Sequence, residues 1–236
     1  MENAILLASG LGTRMKPETD RVPKPLVRIL DKPMIETLIE ALEKRSVNNI
    51  YIVVGYRGMQ FEYLTEKFSN VQLIWNYDYE TVNNISSVYA ARSVLEGGNC
   101  FICEADLWVS DVDLLNRPLE SSCYFGKMVK GYSDDWVFDL NQEGVITRVG
   151  KGGMNCYNMV GVSYFMANEA KKVLDCILLE YGKDGYETLF WDEVINKYIK
   201  EFSLRIEPVQ DGQIVEIDTV EELCCFRKYM EKSAGK

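Results

Sequence analysis

Two glycines, an arginine, a lysine and two aspartates stand at positions where they could do chemistry. Gly10-Leu11-Gly12-Thr13-Arg14 lies directly behind the apolar run Ala4-Ile5-Leu6-Leu7-Ala8, and Lys24 follows, held between Pro23 and Pro25. Glycines in a turn from strand to helix let backbone N–H groups converge on an anion, and a helix N-terminus adds partial positive charge. By itself the GxG could equally be an ordinary tight βα turn. It is neither a Walker loop, since GKS/T is absent, nor the dinucleotide fingerprint, since the third glycine is missing. Arg14 and a proline-stiffened Lys24 add two cations, and two cations with a nest of amides suit a triphosphate. Downstream, Asp106 closes the run Cys100 to Ala105, and Asp218 follows Ile214-Val215-Glu216-Ile217. From its position before Thr219 alone, Asp218 reads as a helix N-cap.

Composition restricts what these groups can do. The chain has 236 residues, a formal charge of -10 and no histidine. That removes Ser-His-Asp triads, histidine bases and the usual zinc sites, leaving carboxylates, lysines and hydroxyls. The acidic balance disfavours nucleic acid as a partner. No apolar stretch is long enough for membrane insertion. The seven cysteines are odd in number and follow no signal peptide, so they read as reduced core residues of a cytoplasmic protein. Cys100 and Cys103 form a CxxC, but inside a predicted strand rather than a redox loop.

The elements that position these residues follow from periodicity. Ala4 to Ala8 and Tyr51 to Val54 predict buried parallel strands, joined by a helix that Pro33 opens and that buries Ile35, Leu38, Ile39 and Leu42. Helix over 60–68, strand over 72–75, helix over 86–95 and strand over 100–103 complete a doubly wound layer. Four short strands are expected over 124–129, 137–140, 145–149 and 160–165, with a turn at Asn141-Gln142-Glu143-Gly144. Helices are expected over 168–179, capped by Asn168, over 191–199, and from Val220. The fold class is therefore α/β, a Rossmann-like doubly wound mixed sheet with an antiparallel extension. We expect one domain over 1–236, divided into halves of about 1–112 and 113–236.

The pattern LxxGxGTRM with PKPL downstream resembles the nucleotidyltransferases that join a nucleoside triphosphate to a phosphorylated small molecule and release pyrophosphate. Within that superfamily the chain is similar to the bacterial phosphocholine cytidylyltransferases of the LicC type. The similarity lies in Asn83-Asn84-Ile85-Ser86-Ser87, Glu104-Ala105-Asp106, Trp136, Phe190-Trp191-Asp192 and Glu216-Ile217-Asp218-Thr219. One departure is Ser9, where the family commonly has alanine.

The resemblance implies attack on the α-phosphorus of CTP by a phosphate or phosphonate oxygen of a small amine, with the first half of the chain binding the nucleotide and the second the acceptor. It assigns Asp106 and Asp218 to magnesium, which prefers oxygen ligands. Arg14, Lys24, Asp106 and Asp218 become the catalytic set. Ala8, Gly10, Leu11, Gly12, Thr13, Tyr56, Asn83, Asn84, Ser87, Glu104 and Ala105 become nucleotide-binding candidates, with Asn83-Asn84 equally readable as a turn before a helix capped by Ser86. Phosphocholine is the acceptor the resemblance favours, giving CDP-choline. Phosphoethanolamine, 2-aminoethylphosphonate and a sugar 1-phosphate stay open, as does a homo-oligomer. Trp136, Tyr157, Phe190, Trp191 and Glu216 are the candidate acceptor residues, because aromatic faces with carboxylates suit a quaternary ammonium. Lys151 is either an acceptor-phosphate ligand or a solvated turn lysine. Phe190 replaces a tyrosine of the choline enzymes, which removes a hydroxyl from that set.

Overall fold

The structure is a computed structural model that describes residues 1–234. Strand β1 (Glu2–Ala8) lies in the interior of its sheet because Ala4 to Ala8 are apolar on both faces. After β1 the chain makes short 3₁₀ turns, then a small antiparallel ladder of β2 (Arg28–Ile29) and β3 (Lys32–Pro33). Only then does α1 (Met34–Lys44) begin, with Pro33 at its N-cap. The glycine loop therefore leads into the 3₁₀ turn Thr13–Met15 and not into an α-helix, so the expected helix dipole is absent behind the loop.

Strand β4 (Asn49–Val54), α2 (Glu62–Lys67) and β5 (Val71–Trp75) follow, and α3 (Ile85–Ala90) leads to β6 (Asn99–Glu104). The predicted helix over 86–95 breaks at Ala91 and continues as the 3₁₀ turn Arg92–Glu96. Strands β1, β4, β5 and β6 are mutually parallel, and β1 sits between β4 and β6. Successive residues of β1 serve opposite faces. Ala4, Leu6 and Ala8 pack with Ile35, Leu38, Ile39 and Leu42 of α1, while Ile5 and Leu7 pack with Ile85 and Val88 of α3. The same alternation puts Cys103 in the first core and Cys100 in the second, so this CxxC cannot close on itself. Five cysteines are buried and free as expected, but Cys224 and Cys225 are exposed on the last helix.

The second half adds β7 (Leu107–Val109), β8 (Cys123–Leu140), β9 (Ile146–Phe165), α4 (Ala167–Glu180), α5 (Trp191–Lys197), β10 (Arg205–Val209), β11 (Ile214–Glu216) and α6 (Val220–Ala234). Where four short strands were expected there are two long, bent ones, joined by the predicted turn at Asn141 to Gly144. Each folds back on itself across irregular registers, so that Val137 pairs with both Gly150 and Asn158, and Phe138 with both Val149 and Tyr157. Strand β9 joins β6 antiparallel, and the full sheet runs β10-β8-β9-β6-β1-β4-β5. Helix α4 starts one residue before Asn168, with Met166 at the N-cap, so Asn168 is not its cap. No helix among the described residues is long and apolar enough to cross a membrane.

Candidate active site

Strand order fixes where the chemistry sits. The chain leaves β1 toward β4 on one side and returns to β6 on the other, so the carboxyl ends of β1 and β6 diverge and open a crevice. Into it come the loop after β1, the residues after β6 and the N-terminus of α3. The result is a cleft of about 400 Å³ lined by Ala8, Gly10, Leu11, Gly12, Thr13, Arg14, Lys24, Asn83, Asn84, Ser87, Glu104, Asp106 and Asp218, with Leu7, Ser9, Pro25, Tyr79 and Val82. Gly12 has φ +62, and a Cβ there would press on Thr19 Cγ2 at 3.0 Å and Lys24 Cβ at 3.2 Å. At Gly10 a Cβ would meet nothing within 4 Å, which leaves the loop open to a ligand.

Asp106 and Asp218 are brought together by one short ladder. Strand β7 starts immediately after Asp106 and pairs antiparallel with β11, Leu107 opposite Glu216, which lays Glu216-Ile217-Asp218 beside Asp106. Carboxylate oxygens of Asp106, Glu216 and Asp218 lie within 4.8 Å of one another. Asp218 does not cap α6. Thr219 does, its hydroxyl accepting from Glu222 N–H at 3.2 Å, while the Glu222 carboxylate accepts from Thr219 N–H at 2.9 Å and Asp218 N–H at 2.7 Å. The Asp218 side chain is thereby released to the cleft.

Lys24 is buried and bridges the aspartates, its Nζ donating to Asp106 Oδ2 and Asp218 Oδ1, each at 2.5 Å. Burial opposes its charge, but Asp106 and Asp218 outweigh that and hold its pKa above the ordinary lysine value. Arg14 forks onto both oxygens of Asp218, donating to Oδ2 at 2.8 Å and to Oδ1, which it shares with Lys24, at 2.9 Å. Glu216 has an edge in solvent, yet the desolvation of its packed side and then the charges of Asp106 and Asp218 push it up to about 8. The other oxygen of Asp106, Oδ1, is buried with no hydrogen-bond partner.

Beyond Glu104 the cleft gives way to a second, narrow space. Glu104, Tyr124, Met159, Gly161, Ser163, Trp191 and Asp192 are among its walls, and its free volume of about 10 Å³ holds one water-sized group. Tyr124 O–H donates to Asp192 Oδ1 at 2.9 Å, and burial still pushes Asp192 up to about 7. Burial, then the charges of Asp106, Asp192 and Glu216, hold Glu104 well above the usual carboxylate range.

Several sequence candidates stand elsewhere. Tyr56 turns away, its hydroxyl donating to the Thr19 carbonyl at 3.0 Å, and Tyr79 takes the place on the cleft wall. Ala105 is fully buried beneath the cleft. Ser86 is not the cap of α3; its hydroxyl donates to the Asn83 carbonyl at 2.8 Å, and Asn84 holds the cap position. Trp136 meets Phe190 edge to face at 5.6 Å, Lys151 is exposed opposite Trp136 in the β8–β9 ladder, and Tyr157 faces Met128 across the strands. None of these four lines the cleft or the narrow cavity, whereas Trp191 walls the cavity and Glu216 joins the aspartates. Tyr79, Tyr124 and Ser163 were not foreseen. Nothing in the sequence singles them out, because strand pairing places Tyr124 and Ser163 and the turn after β5 places Tyr79.

The chain is similar to known proteins in both sequence and fold. Residues 3–119 match the nucleotidyl transferase family. The chain is 50% identical to a 2-aminoethylphosphonate cytidylyltransferase of Lancefieldella rimae, over 95% of this chain and 91% of that one. It is 33% identical to the choline-phosphate cytidylyltransferase of Streptococcus pneumoniae, over 97% and 96% of the two chains. The solved structure of CTP:phosphocholine cytidylyltransferase (LicC) from Streptococcus pneumoniae superposes with a TM-score of 0.89 at 31% identity, covering 97% of this chain and 99% of that one. Since identity at this level spans nearly the full length of each relative and the fold coincides throughout, the chain belongs to the LicC-type cytidylyltransferases within the nucleotidyl transferase family.

Proposed function

We propose that the enzyme transfers the cytidylyl group of CTP to a small primary amine bearing a phosphonate or phosphate, with 2-aminoethylphosphonate as the preferred acceptor. The observation that carries this reading is the narrow cavity. Glu104 and Asp192 both line this narrow space beside the cleft, so a small ammonium placed there would lie between two carboxyl groups. A primary ammonium also donates hydrogen bonds that both carboxylates can accept. The stronger sequence similarity to the 2-aminoethylphosphonate enzyme than to the choline-phosphate enzyme points the same way.

In this reading CTP occupies the cleft, and the acceptor extends from it into the cavity past Glu104. A phosphonate oxygen attacks the α-phosphorus in line. The new O–P bond forms as the bond to the β-phosphate oxygen breaks, and pyrophosphate leaves. A dianionic phosphonate is already a nucleophile near neutral pH, so the reaction needs no protein base. The absence of histidine then costs nothing. Arg14 and Lys24 neutralise charge on the triphosphate and the departing pyrophosphate, while the Ser9 to Thr13 loop holds the phosphates in place.

Asp106, Asp218 and Glu216 fit a hard divalent cation such as magnesium. All donors are oxygens, they converge within 4.8 Å, and the orphaned Asp106 Oδ1 is a buried acceptor in want of a partner. Such a cation supplies Lewis-acid charge neutralisation at the α-phosphate. A panel of 2-aminoethylphosphonate, phosphoethanolamine, phosphocholine and glucose 1-phosphate, each assayed with CTP for pyrophosphate release, tests the proposal. We expect the highest kcat/KM with 2-aminoethylphosphonate; a preference for phosphocholine or the sugar phosphate overturns it.

A further inference from the structure

Asparagine at a helix N-cap ordinarily turns its side chain back onto the first-turn N–H groups. Asn84 holds that position in α3, yet its side chain makes no capping bond. Both ends of its amide are spent on other elements. Nδ2 donates to Glu104 Oε1 at 3.2 Å, and Oδ1 accepts from Trp191 N–H at 2.9 Å. Trp191 N–H is one of the unpaired donors that open α5, so Asn84 caps α5 from a different part of the chain. Its neighbour reinforces the junction: Asn83 N–H donates to the Glu187 carbonyl at 2.8 Å, Asn83 Nδ2 to the Thr188 carbonyl at 3.1 Å, and Asn83 Oδ1 accepts from Asn84 N–H at 2.8 Å. Asn84 itself lines the nucleotide cleft, while Glu104 and the Trp191-Asp192 pair wall the narrow cavity.

We propose that Asn84 is a positioning residue for the acceptor: its amide clamps Glu104 on one side and the start of α5 on the other, setting the separation of the Glu104 and Asp192 carboxylates. The clamp rests on the assignment of the narrow cavity to the acceptor. A nucleotide seated in the cleft packs beside the clamp, which gives the two substrate sites a shared wall. The donor and acceptor ends of the amide are not interchangeable, because a carboxylate needs the N–H end and a backbone N–H needs the oxygen.

The test is steady-state kinetics of wild type, Asn84→Ser and Asn84→Ala, using whichever acceptor wild type turns over fastest. Serine suits an N-cap and is too short to bridge, so it separates loss of the clamp from loss of the helix. We expect the acceptor KM of Asn84→Ser to rise about tenfold, the cost of a hydrogen bond to a charged group, with the CTP KM within about twofold. Glu104→Gln should produce a rise of its own, and the double variant should be no worse than the weaker-binding single, as for residues acting in one chain of contacts. Calorimetric titration with CTP alone reads nucleotide binding in any variant that has lost turnover. A CTP KM that rises as much as the acceptor KM makes Asn84 a nucleotide contact and overturns the proposal, as do unchanged kinetics or effects that multiply. If wild type prefers a sugar phosphate, the amine reading falls, but the Asn84 outcomes are read with that acceptor in the same way.

Discussion

The two proposed binding regions, cleft for the nucleotide and cavity for the acceptor, are assembled in opposite ways. The nucleotide cleft takes its floor from one contiguous loop, Ser9 to Arg14, laid at a crevice that the order of β1 and β6 makes unavoidable. The proposed acceptor cavity gathers residues from four elements far apart in the chain: Glu104 from β6, Tyr124 from β8, Met159, Gly161 and Ser163 from β9, and Trp191 and Asp192 from α5. Phosphates are gripped by backbone geometry and a few cations, which a short glycine-rich stretch supplies. A small buried cation is gripped by side chains that close a cavity, which only tertiary packing supplies. Substitutions in the first region should therefore disable the reaction, and substitutions in the second should change what is accepted.

The sharpest break of that contrast comes from the carboxylates. Asp106→Ala and Asp218→Ala should each lower turnover on the order of a thousandfold, since each removes an oxygen that we propose holds the metal and leaves Lys24 with one partner fewer. Pyrophosphate release measured beside thermal melting checks this; near-wild-type release by either folded variant removes the metal assignment. Lys24→Ala comes next, with kcat falling about a hundredfold and the CTP KM changing much less, because a buried cation between two carboxylates is placed for charge that moves during reaction. A rise in KM alone would make Lys24 a ground-state anchor.

How much of this was legible follows the same division. The parallel strands, α1 and the loop were readable because apolar periodicity and glycine spacing are local signals. Asp218 was readable only through family resemblance, since sequence position alone makes it a helix cap; Thr219 and Glu222 take that task in a way no pattern before Thr219 announces. Trp136 and Phe190 were both candidate acceptor residues, but the fold-back of β8 that sets Trp136 edge to face against Phe190 has no local sequence signal. Asp192 and Tyr124 meet across 68 positions through packing of α5 on β8 and β9, and neither carries a signal of its own partner.

Asp192→Asn sharpens the acceptor side. It keeps the shape of the cavity and removes a charge, so the kcat/KM for a primary amine should fall about tenfold while the CTP KM holds. In wild type that kcat/KM should rise with pH through about 7, as burial delays ionisation of Asp192, and the variant should lose this component of the profile. Stability should respond with the opposite sign. The folded pKa of about 7 lies above the model-peptide value of 3.8, so the contribution of Asp192 is full below about pH 4 and is lost as pH rises through 7. Melting temperatures of wild type and variant, compared from pH 4 to 8, should therefore diverge in slope; parallel curves would mean that Asp192 is ionised throughout.

The smallest effect expected is that of Trp136→Leu. Trp136 is half-buried, stands opposite Lys151 in the ladder and touches Phe190 edge to face, but walls neither the cleft nor the cavity. Leucine keeps much of its apolar volume and deletes the aromatic edge contact, a loss of about 1 kcal/mol. That predicts a melting temperature lower by about 2–4 °C and kcat/KM values within about threefold of wild type for primary-amine acceptors. A trimethylammonium acceptor is the discriminating case, because it draws on aromatic faces, with cation–π attraction reaching about 2 kcal/mol when desolvated. If Trp136→Leu costs phosphocholine tenfold and spares 2-aminoethylphosphonate, the Trp136–Phe190 pair is itself an ammonium site, and the acceptor region is wider than the acidic cavity between Glu104 and Asp192.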